Sequence, residues 1–165
     1  MVDPAYPHLF DAEICAHDVG PKRYRYTVVY LPDSLAVTLG LRETPRLRIE
    51  GEIEDFPFAG ALQPAMGVWY LMVPAEIRAA TGCGLGDTVH VRFRVGDQDH
   101  VDKPRELTDV LAENGAAAAA WAALTPGAQR GWAYVVSKPK RAETRERKAV
   151  AVAAALVAGT SLRDF

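Results

Sequence analysis

Cysteine is scarce: the 165 residues hold two, Cys15 and Cys83, in separate predicted elements and without CxxC or metal-site spacing. That leaves no disulfide or zinc framework to hold the fold. Long hydrophobic runs are missing too. The longest, Ala149 to Ala158, covers ten residues, about half of a membrane span. The N-terminal stretch MVDPAYPHLFDAEICAHD carries acids where a signal peptide has a basic region. Neither sign of charge is in excess, the formal balance being −2 at pH 7. These absences predict a soluble cytoplasmic protein with no membrane association. Its stability must come from a hydrophobic core, and a chain of this size buries roughly 70% of its unfolded surface. The charge is unevenly spread, however: residues 1–103 hold 10 Lys/Arg against 15 Asp/Glu, and residues 104–165 hold 9 against 6. The tail is the basic part.

The strongest pattern present is an internal repeat. A shift of 42 positions lays Tyr26–Asp55 on Val68–Asp97 without a gap, placing Pro32 on Pro74, Gly40 on Gly82, and Leu47, Ile49 and Ile53 on Val89, Val91 and Val95. Each copy reads as a strand, a short helix opened by Pro, a Gly turn and a second strand. One such unit cannot cover its own apolar face, so two copies related by a pseudo-two-fold axis are expected to enclose one core. Before the repeat, Phe10–Asp18 alternates and predicts a strand with Phe10, Ala12, Ile14 and Ala16 on its buried face. Pro45–Asp55 sets Leu47, Ile49 and Ile53 against Arg46, Arg48, Glu50, Glu52 and Glu54, and a shorter strand is expected through Phe58 and Gly60. Six or seven short strands with two helical turns predict a small closed or split β-barrel.

Pro104 opens a different regime. Leu107, Val110 and Leu111 recur at helical spacing up to a stop at Asn114-Gly115. Ala116–Leu124 is helical by propensity, and Thr125-Pro126 starts a third helix with Trp132, Val135 and Val136 on its apolar side. A fourth runs from Ala142 to Gly159 with Val150, Ala153, Leu156 and Val157 on one face. The class is therefore α+β, with a barrel domain over residues 1–103 and a helical appendage over residues 104–165.

These residues carry a resemblance. The first 103 residues resemble the DUF1905 β-barrel family through the strand–Pro–helix stretch, the segment Phe58-Ala59-Gly60 and the Gly86-Asp87 pair. The tail is similar to the helical segment named for bacteriocin protection, YdeI or OmpD association, through the run from Lys140 to Lys148, KRAETRERK. It departs from that pattern at Val135, where an aromatic is common, and at Pro139, which predicts a broken helix. More distantly, Val73-Pro74-Ala75-Glu76-Ile77-Arg78 followed by Gly86-Asp87 resembles the AbrB-like split barrels, in which two chains each supply one unit and many bind DNA. The resemblances imply stress or bacteriocin tolerance and bring no catalytic residues.

Candidate chemistry is sparse. Gly82–Asp87 follows a helix and precedes a strand, the reverse of a phosphate loop's order, and reads as a tight turn in which Asp87 bonds nearby N–H groups. Asp97, Asp99, His100 and Asp102 lack the glycine and distal glutamate of a calcium loop. His17-Asp18 suits an orienting pair for a general base but has no nucleophile signature beside it, and Cys15 and His17 share a strand face, a pairing that suits an enzyme. Arg130–Lys148 holds seven Lys/Arg against two acids with Trp132 and Tyr134 interleaved, which suits phosphate or nucleic-acid contact. The alternative is a solvated helix face with a Glu143–Arg147 pair. The leading expectation is a non-catalytic, monomeric or weakly dimeric protein without cofactor or metal. It binds an anionic ligand or a partner protein through Lys138, Lys140, Arg141, Thr144, Arg145, Arg147 and Trp132. The alternatives are a nucleic-acid-binding module and a Cys/His enzyme.

Overall fold

The computed structural model describes residues 3–21 and 24–165; Lys22 and Arg23, in the basic approach to the third strand, lie outside them. The chain divides into two compact units, residues 1–98 and 99–165. In the first, the elements are β1 (His8–Glu13), β2 (Cys15–Val19), β3 (Tyr24–Tyr30), α1 (Asp33–Thr38), β4 (Leu47–Ile53), β5 (Phe56–Ala65), β6 (Val68–Met72), α2 (Ala75–Thr81) and β7 (Thr88–Val95). All ladders are antiparallel, in the order β1-β7-β4-β5-β6-β3-β2. The two edge strands are consecutive halves of one stretch broken only at Ile14, so the curled sheet returns on itself. Curling leaves one apolar interior, built from Phe10, Ile14, Val29, Leu41, Ile49, Leu62, Leu71, Val91 and Phe93 among others.

The repeat is visible in the ladders. In β3·β6, Val29 faces Leu71; in β4·β7, Gly51 faces Phe93. Both pairs are separated by the same 42 residues, so each is a repeat position meeting its own equivalent. A single pseudo-two-fold axis therefore passes through both walls. The hydrogen bonds at the ends of these ladders obey it. Leu31 N–H donates to the Trp69 carbonyl and its equivalent Val73 to Thr27, both at 2.9 Å; Glu54 donates to His90 and Gly96 to Arg48, both at 3.0 Å.

Where the axis crosses β4·β7 the two copies differ in a complementary way. Glu50-Gly51-Glu52 in β4 occupies the repeat positions of Arg92-Phe93-Arg94 in β7, and the register sets Glu50 opposite Arg94 and Glu52 opposite Arg92. Two identical copies would place Glu against Glu, which destabilises a ladder. They would also place either two large rings or none on the axis. A Cβ on Gly51 would fall 2.6 Å from Phe93 Cα and collide with the Arg92 carbonyl. The glycine is therefore required by the close approach of the Arg92–Phe93 backbone, beside which the Phe93 side chain is fully buried.

Two expectations for the strands are corrected. Phe10 and Ile14 are buried as expected, but Ala16 is exposed, while Cys15 and His17 turn inward to a half-buried position. The inward parity switches at Ile14. There the backbone leaves the ladder: Ile14 N–H donates to the Asp87 carbonyl and Gly86 N–H to the Ile14 carbonyl, both at 2.9 Å. The strand after Ile53 is the longest of the seven, Phe56–Ala65, because Pro57 and Pro64 are accommodated in its ladders.

The second unit holds α3 (Arg105–Glu113), α4 (Gly115–Ala122), α5 (Pro126–Ser137) and α6 (Ala142–Val157) around a core of Leu107, Leu111, Trp121, Val136, Val152 and Leu156. The Thr125 hydroxyl accepts from Ala128 N–H at 3.3 Å, capping α5 ahead of Pro126. Gly159, at φ +69°, ends α6. α3 stops at Asn114-Gly115 as expected; Asn114 breaks the helix and its side chain caps α4 by accepting from Ala117 N–H at 3.0 Å, while Gly115 opens α4. The inner face of α6 is also shifted. Ala149, Val152, Ala153, Ala155 and Leu156 are buried, while Val150 and Val157 stay more than half exposed. Apolar residues surround the helix there, so periodicity did not single out a face, and the small alanines pack inward. No helix among the described residues is long and apolar enough to cross a membrane.

A candidate anion-binding groove in the helical unit

Pro139 cannot continue α5, having no N–H to give, so the helix ends at Ser137 and the chain turns through Lys138–Arg141 before α6. The turn is organised by Arg145. Its Nε donates to Glu106 Oε1 at 2.7 Å, and its Nη1 donates to the carbonyls of Pro139 at 3.3 Å and Lys140 at 2.9 Å. With both ends of this pair mostly covered, the Arg145 guanidinium holds the Glu106 carboxyl below the usual carboxylate range, chiefly by the hydrogen bond. Arg145 is therefore committed to the corner and is not a free donor for a ligand. Trp132 is likewise interior: it is 3% exposed and meets the Phe165 ring edge-on at 5.1 Å. Both corrections follow from tertiary contacts to α3 and to the C-terminal segment.

The other predicted cations are placed differently. Lys138, Lys140, Arg141 and Arg147 are exposed, and Thr144 is half-buried in the first turn of α6. No ion pair joins Glu143 to Arg147; the i,i+4 pair that the unit does hold is Arg105–Asp109, at 3.6 Å. Beside this corner lies a groove of about 360 Å³. Tyr134 and Pro139 wall it from the end of α5, Leu162 and Phe165 from the C-terminal segment, and Lys138 and Lys148 border it. Each lysine rests on a ring: Lys138 Nζ is 5.8 Å from the centre of Tyr134, and Lys148 Nζ is 5.2 Å from that of Phe165. A Cβ on Gly131 would come within 2.6 Å of the end of the Leu162 side chain, which would have to shift to admit it.

Tyr134 and Lys148 stood in the basic run read from the sequence but not among the residues expected to bind, and Leu162 and Phe165 were not picked out at all. The Tyr134–Lys138 contact had a signal, an aromatic four residues before a lysine on one helix. The Lys148–Phe165 contact had none, since the segment after Gly159 has no periodicity.

The remaining candidates resolve into local structure. Gly84 N–H donates to Asp87 Oδ2 at 2.8 Å, so the Gly-rich stretch is the self-bonded turn expected of it. His100 Nε2 pairs with Asp102 at 2.7 Å. On β2 the Cys15 thiol donates to the Glu13 carbonyl at 3.4 Å, whereas His17 Nδ1 shares a 2.8 Å hydrogen bond with the Tyr30 hydroxyl and stacks 4.7 Å from Tyr70, whose phenol burial pushes up. Cys15 and His17 thus have different partners, and the Cys–His pair that an enzyme reading needs is not formed.

Two family descriptions match the chain in sequence: a domain of unknown function, DUF1905, over residues 10–93, and Bacteriocin-protection, YdeI or OmpD-Associated, over residues 101–159. No curated protein matches it.

Proposed function

This chain belongs to the DUF1905 family, joined to a YdeI/OmpD-associated helical segment, and we propose that it is a non-catalytic cytoplasmic binding protein whose helical unit engages an anion. The observation that carries the reading is the set of cations around the α5–α6 corner. Lys138, Lys140, Arg141, Arg147 and Lys148 are exposed and none has an acidic partner among the described residues. By contrast, Arg145 beside them is neutralised by Glu106. Unpaired cations on one corner concentrate anions there. A role in bacteriocin or stress tolerance belongs to the same proposal and is supported by the tail family's description alone.

The test is retention of the full chain on a heparin column in a salt gradient, beside the triple variant Lys140→Ala/Arg141→Ala/Arg147→Ala. Earlier elution of the variant at unchanged melting temperature is expected. Identical elution of the two proteins would remove the corner as an anion site. Titration with oligonucleotides then separates the nucleic-acid reading, in which affinity falls steeply with salt, from binding of small anions.

A further inference from the structure

We infer that the groove bordered by Lys138 and Lys148 is a site for a small amphipathic anion, a carboxylate carried on an acyl chain or an aryl body, and not for a bare inorganic anion or a polyanion. The inference rests on the anion-binding reading above and deepens it to a ligand class. Three features of the groove select that chemistry.

The first is its charge. Two ammonium groups border it, and no acidic side chain lines it. The second is how those ammonium groups are held. Each lies over an aromatic ring at 5.2–5.8 Å, where the ring face replaces part of the water shell. Partial desolvation strengthens attraction to a carboxylate placed against the same groups. The third is what the walls omit. A site for phosphate draws on forked guanidinium groups, backbone N–H groups or a helix N-terminus. Here the walls are Tyr134, Pro139, Leu162 and Phe165, which an inorganic anion would leave without contact. A volume of about 360 Å³ falls in the lower range of small-molecule sites, in which apolar walls bury the body of a ligand and a few polar groups orient it. Arg141 and Lys140 do not line this groove, which separates it from the more exposed corner.

The experiment is calorimetric titration of the full chain with hexanoate, octanoate and decanoate, and with decyltrimethylammonium and inorganic phosphate. Decanoate is expected to bind, with affinity rising about fourfold per methylene along the series, as burial of each CH₂ group requires. Decyltrimethylammonium is expected not to bind. Lys138→Met/Lys148→Met should weaken decanoate at least tenfold while Arg42→Met, an exposed cation of the barrel unit, leaves it unchanged. Should the first variant lose its fold, the wild-type chain still decides the matter. Decanoate must then shift the proton resonances of the Phe165 and Tyr134 rings, and shifts confined to Trp69 of the barrel overturn the site. Equal affinity along the chain-length series, or binding of the cationic analogue, also overturns it. If phosphate binds in a way that depends on Lys140 and Arg141 while decanoate does not bind, this inference falls and the broader anion reading stands. If neither binds, this inference falls, and the heparin comparison decides the broader anion reading.

Discussion

Across the barrel ladder Arg94 of β7 meets Glu50 of β4 at 2.8 Å and Arg92 meets Glu52 and Asp55, whereas Lys138, Lys140, Arg141, Arg147 and Lys148 of the helical unit meet no carboxylate among the described residues. The difference lies in how each architecture assigns neighbours. A ladder in fixed register sets every outward residue opposite one other, so like charges are penalised and opposite charges settle in pairs. The pseudo-two-fold axis sharpens that demand, because it sets each copy against its own equivalent. The chain meets it by carrying Glu-Gly-Glu in one copy and Arg-Phe-Arg in the other. A turn between two helices imposes no such pairing. Charges left over there are free to meet something outside the chain.

The sharpest way to break the comparison is at the axis. Gly51→Phe sets two rings on the dyad and drives a side chain into the Arg92 carbonyl; a loss of about 3 kcal/mol or more is expected in urea unfolding followed by Trp fluorescence. The exchange variant Gly51→Phe/Phe93→Gly removes the second ring but leaves the new Cβ against the Arg92 carbonyl, so it should recover only the share of the loss that the second ring causes. If the exchange is no more stable than Gly51→Phe alone, the approach of the Arg92 carbonyl and not the second ring sets the cost.

A smaller effect tests the one neutralised cation of the helical corner. Because Arg145 holds the folded-state carboxyl of Glu106 below its ordinary value of 4.5, this pair contributes stability that is fully present above that pH and is lost as pH falls through the depressed value. Glu106→Gln should therefore lower the melting temperature at pH 7, and the deficit should shrink as the pH is taken below about 4.5. Arg145→Ala should behave alike, and Arg147→Ala should not. A deficit that is constant with pH would mean that shape and not charge holds the corner. The smallest effect belongs to the exposed ladder. Arg94→Glu should cost about 0–1 kcal/mol, with Glu50→Arg restoring it in a double-mutant cycle. Failure of the second change to restore stability would mean that the pair is incidental to the ladder.

These tests fall on features with different visibility in the sequence. The barrel was legible because the evidence for it is local and doubled. Period-two alternation marked β4 and β7, Pro32 and Pro74 marked the helix starts, and the 42-residue shift declared that the pieces face one another. Thr125-Pro126 and Gly159 were legible for the same reason, since a cap is decided within three or four residues. The switch of inward parity at Ile14 was not, because the residues that bend the strand there, Gly86 and Asp87, lie more than seventy positions away.

The candidate site was half visible. Composition pointed to Lys138–Lys148, and Lys138 does border the groove, but composition does not separate a cation with a partner from one without. Arg145 is tied to Glu106 of another helix and Trp132 is covered by Phe165 of a segment with no regular structure. The sequence alone thus determined the two-copy barrel, the strand faces apart from the stretch after Ile14, and most helix ends, since these depend on residue types within a turn or a strand of one another. Tertiary structure alone decided which face of the apolar α6 turns inward, which arginine is neutralised and which lysines stand over rings, because each depends on the side chain that a distant part of the chain brings alongside.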